Sequence, residues 1–172
     1  PVGSGLMLQP TGLAALDRLG LRQRLEGVGP RIERLFGDTV GGDVVFDLAY
    51  GDLPVPENTF RHALGVHRSA LHRILLDAFS GSGATLTCDV DVVHVQHGRP
   101  ITVTGERLPR ADVVVDATGA NSCVAAFHPA RLREFEYGAV WATVEDHGMF
   151  PHALTQRYEA AHHMMGYLPT GT

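Results

Sequence analysis

The sequence is short of several things, beginning with cysteine: its only thiols are Cys88 and Cys123. Two cysteines far apart cannot build the disulfide framework of a small secreted domain, and without a CxxC pair they form no redox or zinc motif. Buried structural thiols in a reducing cytoplasm are the expectation. Positive charge is not in excess either, since 14 Lys plus Arg stand against 19 Asp plus Glu, for a net charge of -5. The basic residues are scattered, so no footprint for a nucleic-acid backbone exists. Long hydrophobic runs are missing: Val113-Val114-Val115, held between Asp112 and Asp116, falls far short of the roughly 20 residues a membrane span requires. No basic segment followed by an apolar core opens the chain. Internal repeats and low-complexity tracts are also absent.

What is present is an ordinary globular composition, 44% apolar and 19% charged over 172 residues, enough to bury one core. The chain starts at Pro1 without a methionine and stops at Thr172 just after an apparent strand. The expectation is a fragment whose natural polypeptide extends both ways.

The periodicity predicts a mixed α/β organisation. Leu13, Leu16 and Leu19 recur every third position between Pro10 and Gly20, which predicts a short amphipathic helix. Alternation in residues 32–36 and 44–48, separated by Gly37, Gly41 and Gly42, predicts two short strands, followed by a surface loop through Pro54 and Pro56. Residues 68–79 place Leu71, Ile74, Leu75 and Ala78 at helical spacing, the strongest helix of the chain. A Val, Thr and Ile-rich region at about 84–104 predicts an antiparallel meander, with His97-Gly98-Arg99-Pro100 turning its last two strands into a hairpin. The valine run at 112–116 has the pattern of a parallel strand buried on both faces, ending in the Gly119 turn. Residues 136–145 and 163–168 read as two further strands, with a short helix at 154–158 between them. A domain boundary is expected near residue 128.

Two places can carry chemistry. A buried strand that delivers a glycine turn at Ala117-Thr118-Gly119-Ala120-Asn121-Ser122 lets backbone N–H groups approach a phosphate or ribose, although a plain strand-to-helix turn looks similar. Arg68 stands in the first turn of the strong helix, where a cation opposes the helix dipole unless an anion is bound there; the alternative is an arginine that bends into solvent. Gly3-Ser4-Gly5 and Gly81-Ser82-Gly83 lack the third glycine of a phosphate loop and read as turns. The ten histidines make no ligand cluster, because His62, His67 and His72 fall five apart and His162-His163 are adjacent. No metal is expected. No Gly-x-Ser-x-Gly elbow or nucleophile paired with a base exists, so no catalytic side chain is assigned. Trp141 and Tyr137 read as core or pocket wall.

Four segments in this order resemble the single-component flavoprotein monooxygenases, the group that includes para-hydroxybenzoate hydroxylase. They are Gly5-Leu6-Met7-Leu8-Gln9-Pro10 leading into Leu13 through Leu21; Val66-His67-Arg68-Ser69-Ala70-Leu71 with Leu75; Asp112 through Ser122; and Tyr137-Gly138-Ala139-Val140-Trp141-Ala142 with Gln156-Arg157-Tyr158 and Gly166-Tyr167-Leu168-Pro169. The resemblance implies a partial FAD-binding domain over residues 1–128, containing parallel strands, the meander and helices. Residues 129–172 would begin a substrate-domain sheet. It implies FAD contacts by Arg68, Thr118, Gly119, Gly5 and Leu6, and a reaction in which FAD reduced by NAD(P)H uses molecular oxygen to hydroxylate an aromatic or similar small substrate. The protein mainly positions the reactants and excludes water.

The sequence departs from the family at telling places. Thr118 stands where the family's Asp-Gly motif has aspartate, and Ala125 where a basic residue often follows. The GxGxxG unit and the later Gly-Asp motif are not in the chain, so this segment alone is expected to hold FAD weakly. A reductase, dehydrogenase or halogenase of the same fold, or a scaffold remnant without catalysis, are the alternatives.

Overall fold

The computed structural model describes residues 3–57, 59–119, 122, 124, 135–148, 152–160 and 162–171. Contacts gather the chain into two compact units, Pro1–Ala84 with Val140–Thr172, and Thr85–Ala139. The first contains β1 (Gly5–Leu8), α1 (Pro10–Arg18), α2 (Arg22–Glu26), β2 (Arg31–Ile32), β3 (Arg34–Thr39), β4 (Val44–Ala49), β5 (Ala63–His67) and α3 (Arg68–Gly81). The second contains the hairpin β6 (Val92–Gln96) and β7 (Arg99–Thr102), and the first unit is completed by β8 (Ala153–Glu159) and β9 (His163–Tyr167). The boundary expected near residue 128 lies outside the described residues.

In the first unit β5 is the middle strand of an antiparallel sheet of order β1-β5-β2. Side chains alternate faces along a strand, and β5 uses both. Leu64 and Val66 pack with Leu13 of α1, Leu21, Leu25 of α2 and Ile74 of α3, joined by the partly buried Leu6 and Leu8 of β1. Ala63 turns the other way, into a second cluster with Ile32 and Tyr50, against which Met7, Leu35, Leu154 and Leu168 pack. Each fully buried Leu or Ile contributes about 1.5–3 kcal/mol of transfer free energy. Two-sided burial of this one strand therefore ties the helices and the neighbouring strands together.

The strand has a glycine where a neighbour crosses closely. A Cβ on Gly65 would overlap the Pro169 carbonyl oxygen and lie 3.0 Å from the Pro169 carbonyl carbon, and one on Gly29 would overlap the Gly65 oxygen. Three backbone segments thus stack without intervening side chains.

The second sheet of this unit has the order β4-β3-β8-β9, with β3 and β8 parallel and the other pairs antiparallel. Gly37 lies within β3 rather than after it, because the Phe46 ring on β4 covers the position where its Cβ would stand. On one sheet face Arg157 grips Asp38 with two bonds, Nε to Oδ1 at 2.9 Å and Nη2 to Oδ2 at 2.6 Å. Asp38 is only 8% exposed, and this hydrogen-bonded pairing holds its carboxyl below the usual aspartate range.

The α1 and α3 expectations agree with the structure: Pro10 opens α1, where a missing N–H costs nothing, and Gly20 leaves it at φ 71°. Leu19, however, is exposed. Strands β1 and β5 and helix α2 were not anticipated. The hairpin turn also agrees, with His97 and Gly98 at φ 51° and 74°, the pair of positive values a two-residue turn needs.

Other expectations require correction. Residues 154–158 are not a helix but the centre of β8, since pairing with β3 along its whole length outweighs weak local propensity. Of the expected meander only β6 and β7 form, and residues 84–88 carry no strand. The valine run at 112–116 is not a buried strand: Val113 is 77% and Val115 80% exposed. A strand buried on both faces needs partners on both edges, and among the described residues none pairs with this run. Residues 136–145 are likewise irregular, with Tyr137 83% exposed rather than core. Cys88 is exposed instead of buried, and Cys123 lies outside the described residues.

Two stability predictions follow from this packing. Gly65→Ala should destabilise by about 1–3 kcal/mol or more through overpacking, whereas Gly81→Ala, at the open end of α3, should stabilise by up to about 1 kcal/mol; urea midpoints of the two variants would shift in opposite directions. The second concerns His62, a partly buried side chain whose Nε2 has no hydrogen-bond partner among the described residues and lies 3.9 Å from Glu26 Oε1. Glu26 already pairs with Arg22 and Arg31. Burial first, then the charges of Arg31 and Arg22, push His62 below its ordinary 6.5, against the opposing pull of Glu26 and Glu33. The folded state thus binds that proton less readily than the unfolded chain, so stability should be full above pH 6.5 and fall as pH drops from there toward the folded value. His62→Gln should flatten that slope in urea titrations between pH 7 and 5.

Candidate functional site

Strand β5 passes directly into α3 with no loop between them. His67 caps the helix, its Nδ1 accepting the Ser69 N–H at 3.3 Å and lying 2.6 Å from Ser69 Oγ. The next residue, Arg68, is exposed, and its N–H donates to the Ser4 carbonyl at 3.2 Å. Its side chain runs along Gly3, where a Cβ would stand 2.9 Å from Arg68 Cδ. The first turn of α3 holds no acidic residue, and among the described residues no carboxylate pairs with Arg68. A positive helix end and a guanidinium therefore stand together without a neutralising anion, an arrangement suited to a phosphate.

The pairing of β1 with β5 sets Gly5 opposite His67 and Leu6 opposite Val66. The structure thus brings Arg68, Gly5 and Leu6 to the same end of one sheet. Their surfaces differ in kind: Leu6 points into the helix-side core, and the face where Gly5 would carry a Cβ is covered by Thr170. Contact with a ligand at either residue is left to the backbone. Beside them an open cleft is lined by Ser4, Gly5, Trp141, His152, Tyr167 and Thr170, among others. Trp141 is 62% exposed, a wall residue and not a core one.

In the second unit Thr118 and Gly119 share one turn, with Gly119 at φ 91°. Asp116 organises it. Its Oδ1 accepts from Thr118 N–H at 3.1 Å and from Thr118 O–H at 2.7 Å, while its Oδ2 accepts from the Ser122 hydroxyl. Ser122 N–H in turn donates to the Gly119 carbonyl at 3.1 Å. The sequence reading placed Asp116 and Ser122 in this segment but gave neither a role; the signal available was an aspartate two residues before a threonine, the spacing of a side-chain-closed turn. Among the described residues no group of His, Cys, Asp and Glu could hold a metal ion, and no helix is long and apolar enough to cross a membrane.

Comparison with solved structures bears on this arrangement. Crystal structures of 2-methyl-3-hydroxypyridine-5-carboxylic acid oxygenase match 72% of the chain at 25% identity, with TM-scores of 0.59 for one mutant and 0.60 for the tetrameric form. A mutant of PqsL from P. aeruginosa matches 100% of the chain at 16% identity with a TM-score of 0.78. The first of these is by name an oxygenase. The chain shares their fold. It spans 31% of the length of the oxygenase and 48% of PqsL. No protein-family model matches it, and no curated protein does.

The cap makes a direct prediction. His67→Ala should cost about 1 kcal/mol of stability, whereas His67→Asn should retain most of it, because a short polar side chain still accepts the Ser69 N–H; thermal unfolding of the two variants measures the difference.

Proposed function

We propose that this chain is part of an FAD- and NAD(P)H-dependent monooxygenase that hydroxylates an aromatic or similar small organic substrate with molecular oxygen. The observation that carries the proposal is Arg68: an exposed guanidinium at the positive end of α3, with no carboxylate paired to it among the described residues, in a fold shared with the oxygenase structures. A cation so placed is destabilising by itself and becomes favourable when an anion binds.

The residues present fit FAD in chemical type. The Arg68 guanidinium at the positive end of α3 supplies charge and donors for its phosphates; the backbone at Gly5 and Leu6 supplies polar contact without bulk. Thr118 and Gly119, in the other unit, enter this proposal by the resemblance alone. When bound, FAD supplies the redox chemistry, taking electrons from NAD(P)H and passing them to oxygen. The protein's own part is to bind, orient and exclude water, so a single acid or base side chain is not required. A reducing cytoplasm is the compartment this reading expects.

The test is flavin affinity and turnover of the full-length protein that contains this chain and of its Arg68→Ala variant. Removing one charge-assisted contact should weaken FAD binding by about tenfold or more, and substrate should stimulate NAD(P)H oxidation with oxygen incorporated into the product. Unchanged FAD affinity in the variant would remove Arg68 from the site. NAD(P)H oxidation without oxygen transfer would replace the monooxygenase with a reductase.

A further inference from the structure

The open cleft beside β1 belongs wholly to the first unit and holds about 1110 Å³, room enough for the ligands that occupy sites of roughly 300–1,000 Å³. It adjoins Arg68 through Ser4, a lining residue whose carbonyl accepts the Arg68 N–H at 3.2 Å. A molecule held there therefore lies beside the place assigned to the cofactor. The walls combine aromatic surface with negative charge. Trp141 and Tyr167 line the cleft and are 62% and 37% exposed, and Glu26, Glu145 and Asp146 line it as well. Among the described residues no arginine does so, and the chain has no lysine. The three carboxylates are not equivalent. Glu26 is already paired with Arg22 and Arg31, and Asp146 accepts the Gly148 N–H at 2.9 Å. Glu145 is exposed and has no ion pair among the described residues. A carboxylate on a ligand would lose water in this cleft without gaining a cationic partner, and would meet like charge. An ammonium group meets the reverse: the ring face of a tryptophan attracts a cation, and Glu145 supplies the opposite charge.

We infer that this cleft is the substrate site and that it selects aromatic compounds bearing a protonated amine over those bearing a carboxylate, with Trp141 as the surface for ring and cation and Glu145 as the specificity-determining charge. The inference rests on the flavoenzyme reading for what becomes of the bound molecule. The selectivity itself needs no flavin, so the two can fail separately.

The experiment measures dissociation constants of benzylamine, benzyl alcohol and benzoate near neutral pH by ligand-observed NMR, in the full-length protein that contains this chain and in its variants. Benzylamine should bind about tenfold more tightly than benzoate, with benzyl alcohol between them. Glu145→Gln should weaken benzylamine by about threefold and leave benzyl alcohol unchanged, a charge-specific effect that a change of shape would not give. Glu145→Arg should bring benzoate ahead of benzylamine, and Trp141→Leu should weaken all three probes, benzylamine most. Benzoate binding as tightly as benzylamine in the unsubstituted protein would overturn the inference, as would failure of all three probes to bind or a ratio that neither Glu145 variant changes. Should Trp141→Leu fail to fold, the Glu145 variants decide. Amine preference in a protein that takes up no flavin would uphold the selectivity and refute the monooxygenase; flavin uptake with benzoate preferred would do the opposite.

Discussion

Burial of β5 on both faces is the constraint from which the rest of the first unit follows. Leu64 and Val66 must meet an apolar surface on one side and Ala63 on the other. The helices α1, α2 and α3 satisfy the first demand; Ile32, Tyr50 and the start of the second sheet satisfy the second. Gly65 lies between these requirements, because the backbone at Pro169 passes too close for any Cβ. The exit of β5 is then fixed in direction, and α3 starts where the strand stops. Arg68 owes its exposure to this continuity: His67 closes the helix end, and the following side chain is turned out along Gly3. Core packing and the placement of the candidate phosphate-binding cation are thus two results of one strand.

The second sheet shows the same economy by different means. Its parallel pair, β3 and β8, is far apart in sequence, and the Asp38 and Arg157 pair spans 119 positions. Bidentate geometry on a partly enclosed carboxylate is directional in a way that apolar contact is not, so it supports the register set by the backbone ladder. The lowered carboxyl of Asp38 implies that this support is present above the unfolded aspartate range and is lost as pH falls through the folded value.

What could be read from the sequence divides along local and nonlocal lines. The helices α1 and α3 were legible because their leucine spacing, proline and glycine punctuation act within one segment, and the two-residue turn at His97-Gly98 was legible for the same reason. Arg68, Gly5 and Leu6 lie in two segments, and the antiparallel pairing of β1 with β5 that joins them is marked in neither. Residues 154–158 were misread since a strand is defined by its partner, here β3, on which the segment itself carries no mark. The valine run failed for the reverse reason: its pattern asks for neighbours on both edges that no described residue supplies. Apolar composition states what a segment would bury, and only the rest of the chain determines whether it does.

The turn after that run shows how a substitution at a motif position can be read chemically. Thr118 in place of aspartate removes a charge from one atom, but the charge is not missing from the turn, because Asp116 stands within hydrogen-bond distance of the threonine hydroxyl. A neutral hydroxyl whose proton is held by a carboxylate is a better acceptor than the same hydroxyl in water, since the hydrogen bond it donates polarises its oxygen. Ser122 reinforces the arrangement by taking the second carboxylate oxygen, and its own N–H returns to Gly119, whose φ of 91° favours glycine. A carboxylate at 118 would present its charge directly and accept on two oxygens. The threonine presents one oxygen, narrower in direction and dependent on its neighbour. The hydrogen bonding of this turn therefore resides in the Asp116, Thr118 and Ser122 set, and a motif that inspects position 118 alone would miss it.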